Sequence, residues 1–74
     1  MSIKKEKFKE LAESRVNKAL KAIELIGNLS ETKNYEYDEA QIKKIFSHLE
    51  SALGSSKKRF QDKLKKKKKT EFTL

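Results

Sequence analysis

The 74 residues of this chain include no cysteine, proline or tryptophan, 41% are charged, and the formal net charge is +8. A chain of this length forms at most one domain with a marginal core. The absence of cysteine excludes disulfides, thiolate zinc sites and thiol nucleophiles. The sequence has no signal-peptide pattern and no stretch apolar enough to span a bilayer, which predicts a soluble cytoplasmic protein with no membrane association.

The first predicted element is a helix over residues 3–27. Apolar residues recur every three or four positions between Phe8 and Ile26, which places them on one stripe of a helix. Gly27 and Asn28 tolerate a positive φ, the geometry in which many helices end. Residues 28–37 then form a connector that is longer than most turns between helices.

A second helix is predicted from Asp38 to about residue 66. Asp38 and Gln41 have the spacing of a capping box, and Tyr37 is placed to pack on Ile42 as a hydrophobic staple. The apolar residues keep one helical phase across Gly54, so the helix is predicted to continue there, with a local kink as the alternative. These apolar residues are Ile42, Ile45, Phe46, Leu49, Leu53, Phe60 and Leu64.

The predicted fold is all-α: an antiparallel two-helix hairpin over residues 1–66, followed by a basic, disordered tail over residues 67–74. A hairpin covers each apolar stripe from one side only. A homodimer that forms a four-helix bundle would cover the rest. The monomeric alternative is a third short element that packs back from the connector.

Charge is concentrated at the end of the chain. Residues 1–56 contain ten Lys and Arg against nine Asp and Glu, whereas residues 57–74 contain nine against two. All nine basic residues lie within residues 57–69, called the basic segment below, and they are the predicted partner-binding or nucleic-acid-binding residues. They are Lys57, Lys58, Arg59, Lys63, Lys65, Lys66, Lys67, Lys68 and Lys69.

No pattern of catalytic residues accompanies this charge. His48 is the single histidine; Ser51 is near it on a helix, but no carboxylate completes a triad. Asp38 and Glu39 are explained by the start of the second helix, as a cap and a partner of the helix dipole. The sequence therefore predicts no enzyme activity, no metal site and no cofactor.

Tyr35 and Tyr37 are a possible secondary contact. Exposed aromatic side chains beside basic residues often stack on the bases of single strands. Here Glu36, Asp38 and Glu39 surround them and would repel phosphate, so packing at the end of the hairpin is the favoured role.

Three segments, "RVNKALKAIELIGNLS" (15–30), "NYEY" (34–37) and "KKIF" (43–46), lie in a block that resembles a family of small proteins carried by bacterial phages and other mobile elements. The resemblance covers about residues 10–53 and does not include the basic segment. It brings no catalytic motif. It implies action in the cytoplasm of a bacterial host as an inhibitor of host defence, in particular as an anti-CRISPR protein directed at an RNA-targeting type VI effector.

The leading hypothesis is a non-enzymatic inhibitor that binds and blocks a nucleic-acid-handling defence protein. Its partner would be an acidic surface of that protein or the nucleic acid bound to it. One alternative is a protein of a mobile element that binds RNA or DNA without sequence preference. The other alternative is a helical adaptor whose basic end only interacts with solvent.

Overall fold

The computed structural model describes the backbone of residues 2–69 and the side chains of residues 2–65. This part of the chain is all-α and contains no strand. α1 spans Ile3–Gly27, a short 3-10 helix spans Asn28–Ser30, and α2 spans Glu39–Lys69. The chain forms two units, one ending at Glu36 and the other beginning at Tyr37. The all-α class and the two helices are confirmed, and packing of the helices as a hairpin stays a prediction.

α1 has the predicted bounds, Ile3–Gly27. Ser2 is the N-cap residue, with extended backbone angles of φ −90° and ψ 128°. Its carbonyl accepts the N–H of Glu6 at 3.1 Å, and its side chain makes no capping hydrogen bond. Backbone hydrogen bonds, and not a side-chain cap, therefore start this helix.

α1 ends at the predicted residue but with a different geometry. Gly27 has φ −59° and Asn28 has φ −64°, both right-handed, and no residue in the described part of the chain has a positive φ. The helix instead tightens into the 3-10 turn Asn28–Ser30, and Glu31 is extended with ψ 107°. The expected left-handed cap is wrong, because a 3-10 turn can satisfy terminal carbonyls without a positive φ.

Glu31 organises the first half of the connector. Its carbonyl accepts the N–H groups of Asn34 at 3.3 Å and Tyr35 at 3.1 Å. Its carboxylate Oε1 accepts the N–H of Lys33 at 3.1 Å. Three amides are thus satisfied by one residue, so this half of the connector is a hydrogen-bonded turn.

The start of α2 is the predicted capping box. The Asp38 carboxylate Oδ1 accepts the N–H of Gln41 at 2.8 Å, and Gln41 Oε1 accepts the N–H of Asp38 at 3.0 Å. The Asp38 carbonyl also accepts the first helical N–H, from Ile42, at 3.2 Å. Asp38 is therefore the N-cap, and α2 begins at Glu39. The staple contact between Tyr37 and Ile42 stays a prediction; Ile42 is partly buried.

Replacement of Asp38 by alanine is expected to lower the free energy of unfolding by about 1 kcal/mol. The change removes the acceptor of the Gln41 amide, which then has no partner inside the helix. Thermal unfolding followed by circular dichroism measures the loss. Asp38→Asn is the matched control, since asparagine keeps an acceptor oxygen and caps helices well. Equal stability of the alanine and asparagine variants would contradict the capping role.

α2 is continuous through Gly54, as predicted, and it extends beyond the predicted end. The helix continues to Lys69, where the sequence predicted an end near residue 66. Repulsion between neighbouring lysines costs only a few tenths of a kcal/mol per pair, and lysine has a good helix propensity. The backbone of residues 67–69, part of the predicted tail, is thus helical. Residues 70–74 of that tail lie outside the described residues.

Replacement of Gly54 by alanine is expected to raise the free energy of unfolding by up to about 1 kcal/mol. Gly54 lies in the interior of α2, and a Cβ built on it meets no atom within 4 Å. Alanine would therefore gain helix propensity without a clash. Gly27→Ala is the control, because Gly27 has equal space but is the last residue of α1. A destabilised Gly54→Ala variant would show that another surface approaches α2 at this point.

Candidate interaction surface

The basic segment lies on the C-terminal part of α2. Its backbone is helical throughout residues 57–69, which gives it a length of about 20 Å at 1.5 Å per residue. The described basic side chains are all exposed; they are Lys57, Lys58, Arg59, Lys63 and Lys65. The side chains of residues 66–69 lie outside the described part of the structure.

These charges are distributed around the helix. Lys57, Lys58 and Arg59 are consecutive, so they cover about 200° of its circumference. Asp62 is the one acidic residue in the basic segment. Lysine ammonium groups are flexible point charges that can contact phosphate without recognising a base. The arrangement suits an extended polyanion or an acidic protein surface.

The two tyrosines of the connector are exposed to similar extents. Tyr35 is 50% exposed at the end of the Glu31 turn, and Tyr37 is 40% exposed just before the cap of α2. Tyr37 lies before the start of α2, and Lys57 lies 18 residues after Glu39, a separation of about five helical turns or 27 Å along the helix. A single nucleotide therefore cannot contact both Tyr37 and the basic segment.

His48 is an exposed side chain held against its own helix. Its Nδ1 is 2.8 Å from the carbonyl oxygen of Lys44. Because a carbonyl can only accept, Nδ1 carries the hydrogen in this arrangement. Only Nε2 then remains for a partner outside the helix.

Among the described residues, no group of three or more His, Asp or Glu side chains could hold a metal ion. In the same part of the chain, neither helix is apolar enough over a sufficient length to cross a membrane.

The apolar stripes are largely exposed. No described side chain is buried, and partial burial is limited to four described residues, which are Ala12, Ile26, Ile42 and Leu49. In α1, Leu20 is 60% exposed; in α2, Leu53 is 73% and Leu64 is 62% exposed. Large exposed apolar patches on proteins commonly mark interaction sites. The apolar face of α2, defined by Ile42, Phe46, Leu49, Leu53, Phe60 and Leu64, is therefore a second candidate surface.

Sequence reasoning missed two features of these surfaces. The sequence predicts residues 28–37 only as a long connector and does not predict the Glu31 turn, although Asn34 within it is a residue type that favours turns. The residues of the predicted α1 stripe are Phe8, Leu11, Ala12, Val16, Ala19, Leu20, Ile23 and Ile26. Leu25 and Leu29 are not among these residues, and they are 54% and 48% exposed. Hydrophobicity alone could have identified them.

Comparison of the chain with protein-family models, with curated proteins and with solved structures gives no match.

Proposed function

We propose that this chain is a non-enzymatic binding protein that blocks a nucleic-acid-handling protein of a bacterial host by occupying it or its nucleic acid. The observation that carries the proposal is the exposed basic side chains of α2, on a helix that continues through the basic segment. A helix fixes the spacing of the backbone positions that carry these side chains, which lowers the backbone entropy lost when a partner binds.

The charge distribution indicates which molecules this end attracts. Nearly all of the net charge of +8 comes from residues 57–74. Such a local field steers acidic partners to one end of the protein and raises their association rate. An acidic surface on a nucleic-acid-handling protein, or the phosphates of its bound RNA or DNA, has the complementary charge.

The resemblance of residues 10–53 to phage and mobile-element proteins supplies the class of target. In that context the target is a defence protein, in particular an RNA-targeting type VI effector, and the phosphates of its bound RNA would carry the complementary negative charge. The inhibitor would act by stable occupation, with no chemical step. Binding of Tyr35 or Tyr37 to the same partner is a secondary contact in this proposal.

A second candidate is direct, sequence-independent binding of RNA or DNA. The observation that favours it is the composition of the basic segment, in which eight of the nine basic residues are lysine. Lysine neutralises phosphate but lacks the planar fork with which arginine binds guanine. Affinity would then depend on salt and hardly on base sequence.

The assembly that presents this end is also a proposal. The helices would pack as an antiparallel hairpin, and two hairpins would form a four-helix bundle with their apolar stripes inside. The support is the exposure of both stripes together with the small size of the chain, which leaves a single hairpin with a marginal core.

Capture from a bacterial host lysate, with and without nuclease treatment, tests the proposed function. The bait is the full chain, and the control bait carries glutamine in place of the lysines at 65–69. We expect a protein that is retained after nuclease treatment and is lost with the control bait. Recovery that disappears with nuclease would show that the contact is with nucleic acid; it would contradict direct binding to the target protein and favour the second candidate. Equal recovery by both baits would contradict a role for these lysines.

A further inference from the structure

The apolar face of α2 offers a surface for a second copy of the same helix. Leu53, near the middle of α2, is 73% exposed, and Phe60 is 60% exposed. Phe46 and Leu49 continue the same face toward the N-terminal end with spacings of three and four residues, the repeat of a helix-to-helix seam. The described structure places this face at the surface, so the question is which helix covers it and in which direction.

The charge of the basic segment favours one direction of pairing between the two helices. A parallel pair of α2 helices would align the basic segment of one copy with that of the other, nine basic residues against nine. Like charges that face each other across a helical seam are destabilising. An antiparallel pair moves the two basic segments to opposite ends, where they are separated by the length of the seam.

We propose that α2 pairs antiparallel with α2 of a second copy about a twofold axis between Gly54 and Ser55. This inference rests on the proposed dimer and adds its surface, direction and register. A twofold axis reverses the order of residues, so positions equally far from the axis face each other. Leu49 then faces Phe60 of the second copy, and Leu53 faces Ser56.

The same register pairs opposite charges beside the seam. Glu50 and Lys57 are both exposed, and they are seven residues apart, so they lie two turns apart on the same flank of α2. In an antiparallel pair this flank of one chain faces the same flank of the second chain. Measured along the helix axis, Glu50 of each chain then lies only about 3 Å from Lys57 of the other chain. A lysine side chain can span this offset. The twofold axis forms this pair twice.

The test uses Lys57→Glu, because its change in net charge and its change in the Glu50–Lys57 pair have opposite expected effects on dimer affinity. The variant lowers the positive charge of each copy, so general electrostatics predicts tighter association. The proposed pair predicts weaker association, because Glu50 would face a glutamate in both contacts. Lys44→Glu is the matched control: it makes the same charge change on α2, at a position on the side opposite the seam.

Sedimentation of the full chain at low salt measures the dimer dissociation constant. We expect it to rise about tenfold for Lys57→Glu and Glu50→Lys, and not to rise for Lys44→Glu. An equimolar mixture of Glu50→Lys and Lys57→Glu should associate within about twofold of the unchanged chain, since both contacts become attractive again. Circular dichroism should show equal helix content in all variants.

Two results would overturn the proposal, and they are distinguishable. If the unchanged chain is a monomer, both the proposed dimer and its register are contradicted. The unchanged chain could instead be a dimer in which Lys57→Glu behaves like Lys44→Glu, or the mixture could associate no better than its components. Either result contradicts only the antiparallel pairing. In that case another part of the chain or a different protein covers the face.

Discussion

Replacement of the five lysines at 65–69 by glutamine is expected to remove most of the salt dependence of polyanion binding. Each phosphate contact contributes about 0.7 units to the slope of log affinity against log salt on a single strand. Five contacts therefore contribute about 3.5 units. A fourfold rise in salt would weaken binding by the intact protein by about 100-fold through these contacts alone.

The measurement is titration of a labelled single-stranded RNA, without secondary structure, at several salt concentrations. Helix content should be retained in the variant, since glutamine has a helix propensity close to that of lysine. The matched control carries the same charge change on α1, with glutamine at Lys4, Lys5, Lys7, Lys9 and Lys21. A similar loss of slope in both variants would mean that total charge, and not the basic segment, determines binding.

This binding experiment supports a biological function only when it is combined with an inhibition assay. A lysine-rich helix can bind RNA without any biological consequence. If the glutamine variant inhibits its target as well as the intact chain does, the working surface lies on the nearly neutral part of the protein. The exposed connector residue Tyr35 would then be the next position to change.

Leu49→Asp is expected to convert a dimer into a monomer or an unfolded chain. Leu49 is partly buried and is one of the residues that define the apolar face of α2. A carboxylate in the seam between helices loses hydration without gaining a partner, which costs several kcal/mol. Such a loss is comparable with the whole stability of a small domain.

Sedimentation at micromolar concentration, combined with circular dichroism, checks this prediction. The unchanged chain should have about twice the chain mass. Ser51→Asp is the matched control, because Ser51 is exposed and lies on the opposite side of α2, two residues away. A strictly monomeric, well-folded unchanged chain would contradict the dimer, as would a Leu49→Asp variant that still dimerises.

Local sequence was sufficient for the features that depend on neighbouring residues. The body of α1 follows from one uninterrupted apolar repeat and its end from Gly27 and Asn28, and the cap of α2 follows from two side chains three residues apart. These features are determined within one or two helical turns. The geometry at the end of α1 could not be predicted in this way. Gly27 permits several backbone conformations, and the neighbouring residues do not select among them.

The two candidate surfaces were less predictable for a different physical reason. Periodicity shows that Leu53 and Leu64 share a face, but it contains no information about the surface that covers them. The charge of the basic segment was evident from composition, whereas the continuation of its helix to Lys69 depended on a balance between propensity and repulsion. Such balances of a few tenths of a kcal/mol per residue are difficult to judge from sequence.

The capping box at Asp38 also bears on how the protein forms during its synthesis. Helix nucleation is costly because the first turn orders several residues for one hydrogen bond. The reciprocal bonds between Asp38 and Gln41 add two interactions at that step, and they require only residues already made before the rest of α2. As the chain emerges from the ribosome, the helix can therefore start at its N-terminal end and elongate. Each newly added lysine then joins an existing helix and does not have to initiate one against the repulsion of its neighbours.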